Sequence, residues 1–146
     1  MSVKPSVNRF EVDGEHVLRA AGLAAATTDV RSNAFALDKL SAYWNDADDR
    51  AVPHQFAVVV EVESISNDPE TYDFEIAVGN DPDGADVVLE TRRLSAEGRA
   101  VFVVSREAIK AAQNDATHLT VNMNGTANGG SLSCAWNAYV APLVGN

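Results

Sequence analysis

Between Gln55 and Val78 hydrophobic side chains fall on every second position in two successive runs. Phe56, Val58, Val60 and Val62 alternate with Ala57, Val59, Glu61 and Glu63; then Tyr72, Phe74, Ile76 and Val78 alternate with Asp73, Glu75 and Ala77. A period of two turns side chains to opposite faces of an extended chain, so both runs read as β-strands with one dry face and one wet or shared. Asn67-Asp68-Pro69 lies between them and supplies the turn.

The same pattern continues along the chain. Ala34 to Ala42 reads as a strand with Phe35 and Leu37 on one face, followed by a polar loop from Tyr43 to Pro53. Asn80-Asp81-Pro82-Asp83-Gly84 marks a turn. Asp86 to Leu94 and Arg99 to Val104 read as strands joined by a turn at Ser95 to Gly98, the second strand apolar after Arg99. Ser105 then offers a helix N-cap, with Glu107 in a first turn that favours negative charge. This short helix ends near Asn114-Asp115 and is expected to share a face of Ala108, Ala111 and Ala112 near Ile109. Thr117 to Asn124 returns to strand, Gly125 to Gly130 is a loop, and Ser131 to Val140 closes the series with Leu132, Cys134, Trp136, Ala138 and Val140 on one face.

Seven or eight short strands separated by turns, with one connecting helix, predict an all-β protein, a jelly-roll-like β-sandwich. Residues 34–146 form that domain. Met1 to Asn33 is poor in large apolar side chains and is expected to be an extended N-terminal arm, containing a short strand at Asn8 to Asp13 and a possible helix from Glu15 to Ala21. Its Ala, Gly and Thr residues let another backbone approach closely.

Composition narrows the function. The 146 residues carry a formal charge of −10, unevenly spread. Thirteen acids between Asp46 and Glu90 are opposed only by Arg50, which leaves −12 on that block and +2 on the rest. Nucleic acid is repelled by such a block. The pattern suits a solvated outer surface with the more neutral ends docked. No stretch is apolar enough to span a membrane, and Met1-Ser2-Val3-Lys4-Pro5 lacks the core of a secretory signal. The one cysteine, Cys134, has no disulfide partner and sits in a strand pattern as a small core hydrophobe.

Catalytic signatures are missing from the sequence. His16, His54 and His118 have no His or Cys neighbour at ligand spacing. There is no nucleophile elbow, phosphate-cradling loop or zinc helix. Asp81, Asp83 and Asp86 offer hard oxygens in one loop, but without the spacing and closing Glu of a calcium loop, so no cofactor is expected. Tyr43, Trp44, Trp136 and Tyr139 are the residues a sugar-stacking platform would use. Trp136 falls on the core parity, while Trp44, in a polar loop, suits an interface. Asn124-Gly125-Thr126 matches a glycosylation sequon and reads as a turn.

The order of elements resembles the small jelly-roll cement (decoration) proteins of tailed bacteriophage capsids. The resemblance covers about Phe35 to Leu143. It rests on Phe35-Ala36-Leu37-Asp38, on Phe56 to Val62, on Thr71 to Val78, on a strand ending Arg92-Arg93-Leu94, on Thr117 to Gly125, and on Ala138-Tyr139-Val140-Ala141. Where Thr117 to Asn124 stands, the family often has a more aromatic and basic strand. The resemblance implies a non-enzymatic homotrimer, made in the bacterial host cytoplasm and bound to the major capsid protein on the outer surface of the virion, at junctions between capsomers. Contact residues are then expected in the arm and the polar loop: Val3, Phe10, Val12, Leu23, Tyr43 and Trp44. The alternatives are a carbohydrate-binding jelly-roll module, with calcium at Asp81, Asp83 and Asp86, or another phage head or tail component.

Overall fold

In the computed structural model, which describes residues 16–40, 55–83 and 87–142, the alternating runs are strands of two antiparallel sheets. The elements are β1 (Val17–Arg19), β2 (Val30–Arg31), β3 (Phe35–Ala36), a 3-10 turn (Leu37–Leu40), β4 (Gln55–Ile65), β5 (Thr71–Gly79), β6 (Val87–Leu94), β7 (Gly98–Ser105), α1 (Arg106–Ala112), β8 (His118–Thr126) and β9 (Cys134–Pro142). One sheet has the order β1-β9-β4-β7. The other has the order β2-β8-β5-β6, with β3 also paired to β8.

These orders follow from one set of nested antiparallel pairs. β1 pairs with β9, β2 with β8, β4 with β7 and β5 with β6, so the chain is one long hairpin folded over on itself. Successive pairs go to alternate sheets, and the contacts β4–β9 and β5–β8 complete each layer. That is the connectivity of a jelly roll.

The dry parities of the two sheets face each other. Phe56, Val58, Val60 and Val62 of β4, with Trp136, Ala138 and Val140 of β9, meet Tyr72, Phe74, Ile76 and Val78 of β5 and Leu119, Val121 and Met123 of β8. Phe74 and Trp136 pack edge to face across the layers, with ring centroids 5.3 Å apart. The Tyr72 hydroxyl is satisfied inside the core: it accepts from Ser133 N at 2.7 Å and shares a 2.7 Å hydrogen bond with Ser66 Oγ. Cys134 is fully buried, as its parity requires.

Several elements depart from expectation. Ala34 to Ala42 is not one strand: β3 stops at Ala36, and Leu37 turns inward on the 3-10 turn, its N–H bonded to Thr117 O. Asp38 in the first turn of that 3-10 element favours the positive end of the backbone dipoles. Of the possible helix at Glu15 to Ala21, Glu15 lies outside the described residues and Val17–Arg19 is β1 instead, with Leu18 in the core and Val17 paired with Tyr139. α1 is capped by Ser105 as its sequence suggests, with Ala108 N donating to the Ser105 hydroxyl at 3.0 Å. It buries Ile109, however, and leaves Ala108, Ala111 and Ala112 exposed: one isoleucine anchors seven residues. β8 runs on through Gly125 to Thr126, so the sequon is strand and the turn begins at Ala127.

Residues 16–33, the second half of the expected arm, are extended but lie on the sandwich itself. β1 completes one sheet and β2 joins the other, where Ser32 N bonds Val121 O and Ser32 Oγ accepts from Val121 N. Leu18 is 1% exposed and belongs to the core, whereas Leu23 is 47% exposed. Leu18→Ala is therefore expected to cost about 2–5 kcal/mol, as core truncations do. Leu23→Ala is expected to stay within about 0.5 kcal/mol of the parent. Urea unfolding of both variants checks the contrast; equal effects would mean that β1 is not integral to the fold.

Candidate interaction face

β4 runs through the middle of the four-stranded sheet, so its outward side chains have neighbours on both sides. Register sets the rows: Val103–Ala57–Ala141, then Val101–Val59–Tyr139–Val17, then Arg99–Glu61–Asn137. The first two rows are almost wholly apolar on the face turned away from the core. Ala57, Val59 and Tyr139 form a second small hydrophobic cluster there, with Ala141 packed against it. These three are only 4–6% exposed, while Val101 and Val103 in the same rows are 43% and 50% exposed. The cover is thus uneven, and it leaves the β7 side of the face open.

The third row ends the apolar area with charge. Arg99 Nε donates to Glu61 Oε2 at 3.0 Å. Beyond it a register shift between Val62 and Ser64 accommodates Glu63 as an extra residue. Such a bulge re-aims a side chain. The Glu63 carboxylate accepts from Asn137 Nδ2 at 2.7 Å and from Gly22 N at 3.3 Å, tying the loop after β1 to the centre of the sheet. A shallow depression of about 190 Å³ lies here, lined by Val17, Arg19, Glu61, Asn137 and Tyr139 among others.

β7 is an edge strand, and among the described residues it pairs only with β4. Edges invite strand addition unless blocked. Arg92 of β6 provides a partial block: its guanidinium lies 4.2 Å from the Phe102 ring centroid, donates to Val101 O at 3.1 Å and is held by Glu90 Oε2 at 2.7 Å. The backbone edge is therefore tended, while the valine side chains beside it remain exposed.

The outer face of the other sheet is different in kind. Asp73, Glu75, Asn122 and Asn124 stand there, and Arg93 clasps Asp73 with bonds of 2.8 and 3.2 Å. The hydrogen bond from Arg93 holds the Asp73 carboxyl below the usual carboxylate range against the opposing effect of burial, and the charge of Arg93 adds to it. A polar depression of about 220 Å³ lies among Asp29, Val30, Arg31, Asn122 and Asn124.

Of the contact residues expected from the sequence, Leu23 is exposed on the loop after β1. Val3, Phe10, Val12, Tyr43 and Trp44 lie outside the described residues, as does Asp86. Asp81 and Asp83 form a local turn, with Asp83 N donating to Asp81 Oδ1 at 2.8 Å and Arg31 Nη1 donating to Asp83 O. Among the described residues no group of three His, Cys, Asp or Glu side chains is placed to hold a metal ion. Of the four aromatics of a sugar platform, Trp136 is in the core and Tyr139 is 6% exposed, so neither offers an open ring face.

The outward valines are the residues that strand parity alone passed over. Their signal was present: Val58-Val59-Val60 and Val101-Phe102-Val103-Val104 are apolar on both parities, which marks strands with two partly dry faces. A scan against protein-family models, a search of curated proteins and a search of solved structures each found no match.

Cys134 is the one thiol in the chain, and its environment suits packing rather than reaction. Burial pushes it up from 9.0 to about 11, partly offset by the charge of Arg19. The folded state therefore keeps the proton longer than the unfolded chain does. Its contribution to stability is intact below pH 9.0 and is lost as pH rises from there through about 11. Urea midpoints measured across that window are expected to fall more steeply for the parent than for Cys134→Ala; identical slopes would show that the thiol is not desolvated.

Proposed function

We propose that this chain is a structural interaction protein, a capsid cement or decoration subunit. It acts as a homotrimer on the outer surface of a tailed-phage head and reinforces contacts between copies of the major capsid protein. The observation that carries this reading is the apolar outer face of the four-stranded sheet, where Val101 and Val103 stand exposed beside the shielded Ala57, Val59 and Tyr139. A jelly roll needs its inner faces to fold. A second apolar face adds nothing to that core, and such faces characterise surfaces that meet another protein. The opposite side of the sandwich carries the charged ladder of Asp73, Glu75 and Arg93, which suits a solvent-facing surface.

A cement protein works by area and shape. Val101 and Val103 are about half exposed, so each contributes roughly 1 kcal/mol when a partner desolvates what remains. A stable interface needs only a few such anchors within a polar rim. Arg99, Glu61 and Glu63 provide one side of such a rim. Closed symmetry suits such an oligomer, and the resemblance to capsid cement proteins implies three copies.

Light scattering on the purified protein is expected to give the mass of a trimer, and the trimer is expected to sediment with stripped tailed-phage capsids. Val101→Asp with Val103→Asp should abolish capsid binding or trimer assembly while leaving the circular dichroism spectrum unchanged, because both side chains already face outward. Removing residues 1–15 spares every described strand, including Leu18, and is expected to lower capsid occupancy through loss of Val3, Phe10 and Val12. A monomer that leaves capsids bare, or a double aspartate variant that binds as the parent does, would overturn the reading.

A further inference from the structure

The sequence Asn124-Gly125-Thr126-Ala127-Asn128-Gly129-Gly130 holds two Asn-Gly pairs four residues apart, and the fold treats them in opposite ways. Asn-Gly is the dipeptide most open to intramolecular deamidation. Glycine has no Cβ to hinder its backbone nitrogen from reaching the asparagine side chain, so the environment of that nitrogen decides whether the reaction proceeds.

At the first pair the nitrogen is engaged. Gly125 lies within β8, opposite Tyr72 in the β5–β8 register. Gly125 N donates to the carboxylate Asp29 Oδ1 at 2.8 Å. Attack on Asn124 Cγ requires breaking that charge-assisted bond and lifting the residue out of the strand.

At the second pair the nitrogen is accessible. Asn128 has φ +53° and Gly129 φ +94°, and Gly130 N bonds Ala127 O at 2.8 Å. Two successive positive φ values closed by one such bond describe a type I′-like turn. Asn128 and Gly129 are both exposed. Among the described residues Gly129 N donates to no group. Two neutral hydrogen bonds hold this turn, from Gly130 N to Ala127 O and from Asn128 Nδ2 to Pro69 O; neither engages the Gly129 nitrogen, and at the surface they open more readily than the charge-assisted bond on Gly125 N.

We propose that Asn128 is a site of spontaneous deamidation and isoaspartate formation, and that Asn124 is protected from it. In the first step Gly129 N attacks Asn128 Cγ and the Cγ–Nδ2 bond breaks. The proton from Gly129 N leaves with the amide nitrogen as ammonia, and a succinimide remains. Water then opens the ring at either carbonyl, giving isoaspartate or aspartate. No oxidant, metal or enzyme enters the balance.

The modification has a structural consequence. Asn128 Nδ2 donates to Pro69 O at 2.7 Å, linking this turn to the β4–β5 turn. Both products lose that donor: aspartate puts a carboxylate in its place facing a carbonyl oxygen, while isoaspartate carries Cβ and Cγ in a main chain one methylene longer and leaves the former main-chain carbonyl carbon as the free carboxylate. The next residues of the same loop already hold the buried carboxylate of Glu70, whose Oε2 accepts from Ser131 N at 3.0 Å. The change therefore removes a hydrogen bond and adds like charge beside Glu70.

The test is to age the full-length protein at mildly alkaline pH and map isoaspartate by peptide mass spectrometry with electron-transfer fragmentation. A synthetic peptide spanning residues 122–131 serves as the unstructured control and is expected to react at both asparagines. In the folded protein, product at Asn128 is expected to accumulate at least about tenfold faster than at Asn124, because Gly125 must break a charge-assisted bond and leave its strand while the Asn128 turn breaks only neutral surface bonds. A ratio below that, or an inert Asn128 over a period in which the peptide reacts, would overturn the assignment. Asn128→Asp is expected to melt at a lower temperature than the parent; an equal melting temperature would remove the proposed consequence.

Discussion

The pairing of β4 with β9 holds the sandwich together. These strands are far apart in sequence, yet they run side by side from Phe56 opposite Pro142 to Ile65 opposite Cys134. Their inward side chains supply eight of the twenty-two buried residues of the core, including Trp136 against Phe74. Their outward side chains supply the second apolar cluster. Because β1 docks on β9 and β7 on β4, the two edges of this sheet are joined to each other only through the central pair. Most of the packing is consequently long-range, which makes loop closure the main entropic obstacle to folding.

The same pair gives the molecule two unlike sides. On the four-stranded sheet, valine, alanine and tyrosine extend outward until Arg99, Glu61 and Glu63 interrupt them. On the other sheet the outward positions are Asp73, Glu75, Asn122, Asn124 and Arg93, with the ion pair between Arg93 and Asp73 at their centre. Part of the acidic block in the middle of the chain is thereby displayed on one side only. An isolated surface pair of this kind contributes little to stability. Its effect is to keep that side wet, which orients the proposed docking toward the valine face.

Parity could be read from the sequence wherever a strand has one fully dry face. Phe56 to Val62, Tyr72 to Val78, Leu119 to Met123 and Cys134 to Val140 all lie as their alternation predicts. Parity was less informative at the margins. β1, β2 and β3 have two or three residues each, too few for a period to register, and they are held by single docking contacts such as Leu18 and Ser32. The alanines of α1 suggested a buried face, but a seven-residue helix over the end of a sandwich is anchored by Ile109 alone. Which strand pairs with which is a non-local property that periodicity does not encode; the number and spacing of the strands pointed to a jelly-roll-like sandwich without giving its pairs. The candidate face was partly visible, since apolar residues on both parities of β4 and β7 signalled a second dry surface without saying what would meet it.

The crossing from β8 to β9 connects these observations. The chain leaves one sheet at Thr126 and enters the other at Cys134, so the loop between them decides where β9 begins. Three side chains of the β4–β5 turn and strand β5 grip that loop: Ser66 Oγ reaches Ser131 O, Glu70 accepts from Ser131 N, and the Tyr72 hydroxyl accepts from Ser133 N. Gly130 passes so close that a Cβ built there would overlap the Glu70 carboxylate. Only glycine permits that approach, and the approach brings Ser131 N to the carboxylate. Loop and turn therefore act as one clamp that sets the register of β9, and through it both the inward position of Trp136 and the outward position of Tyr139. The exposed Asn128 sits on the rim of this clamp, where a change in one side-chain amide acts on the loop that places the central strand.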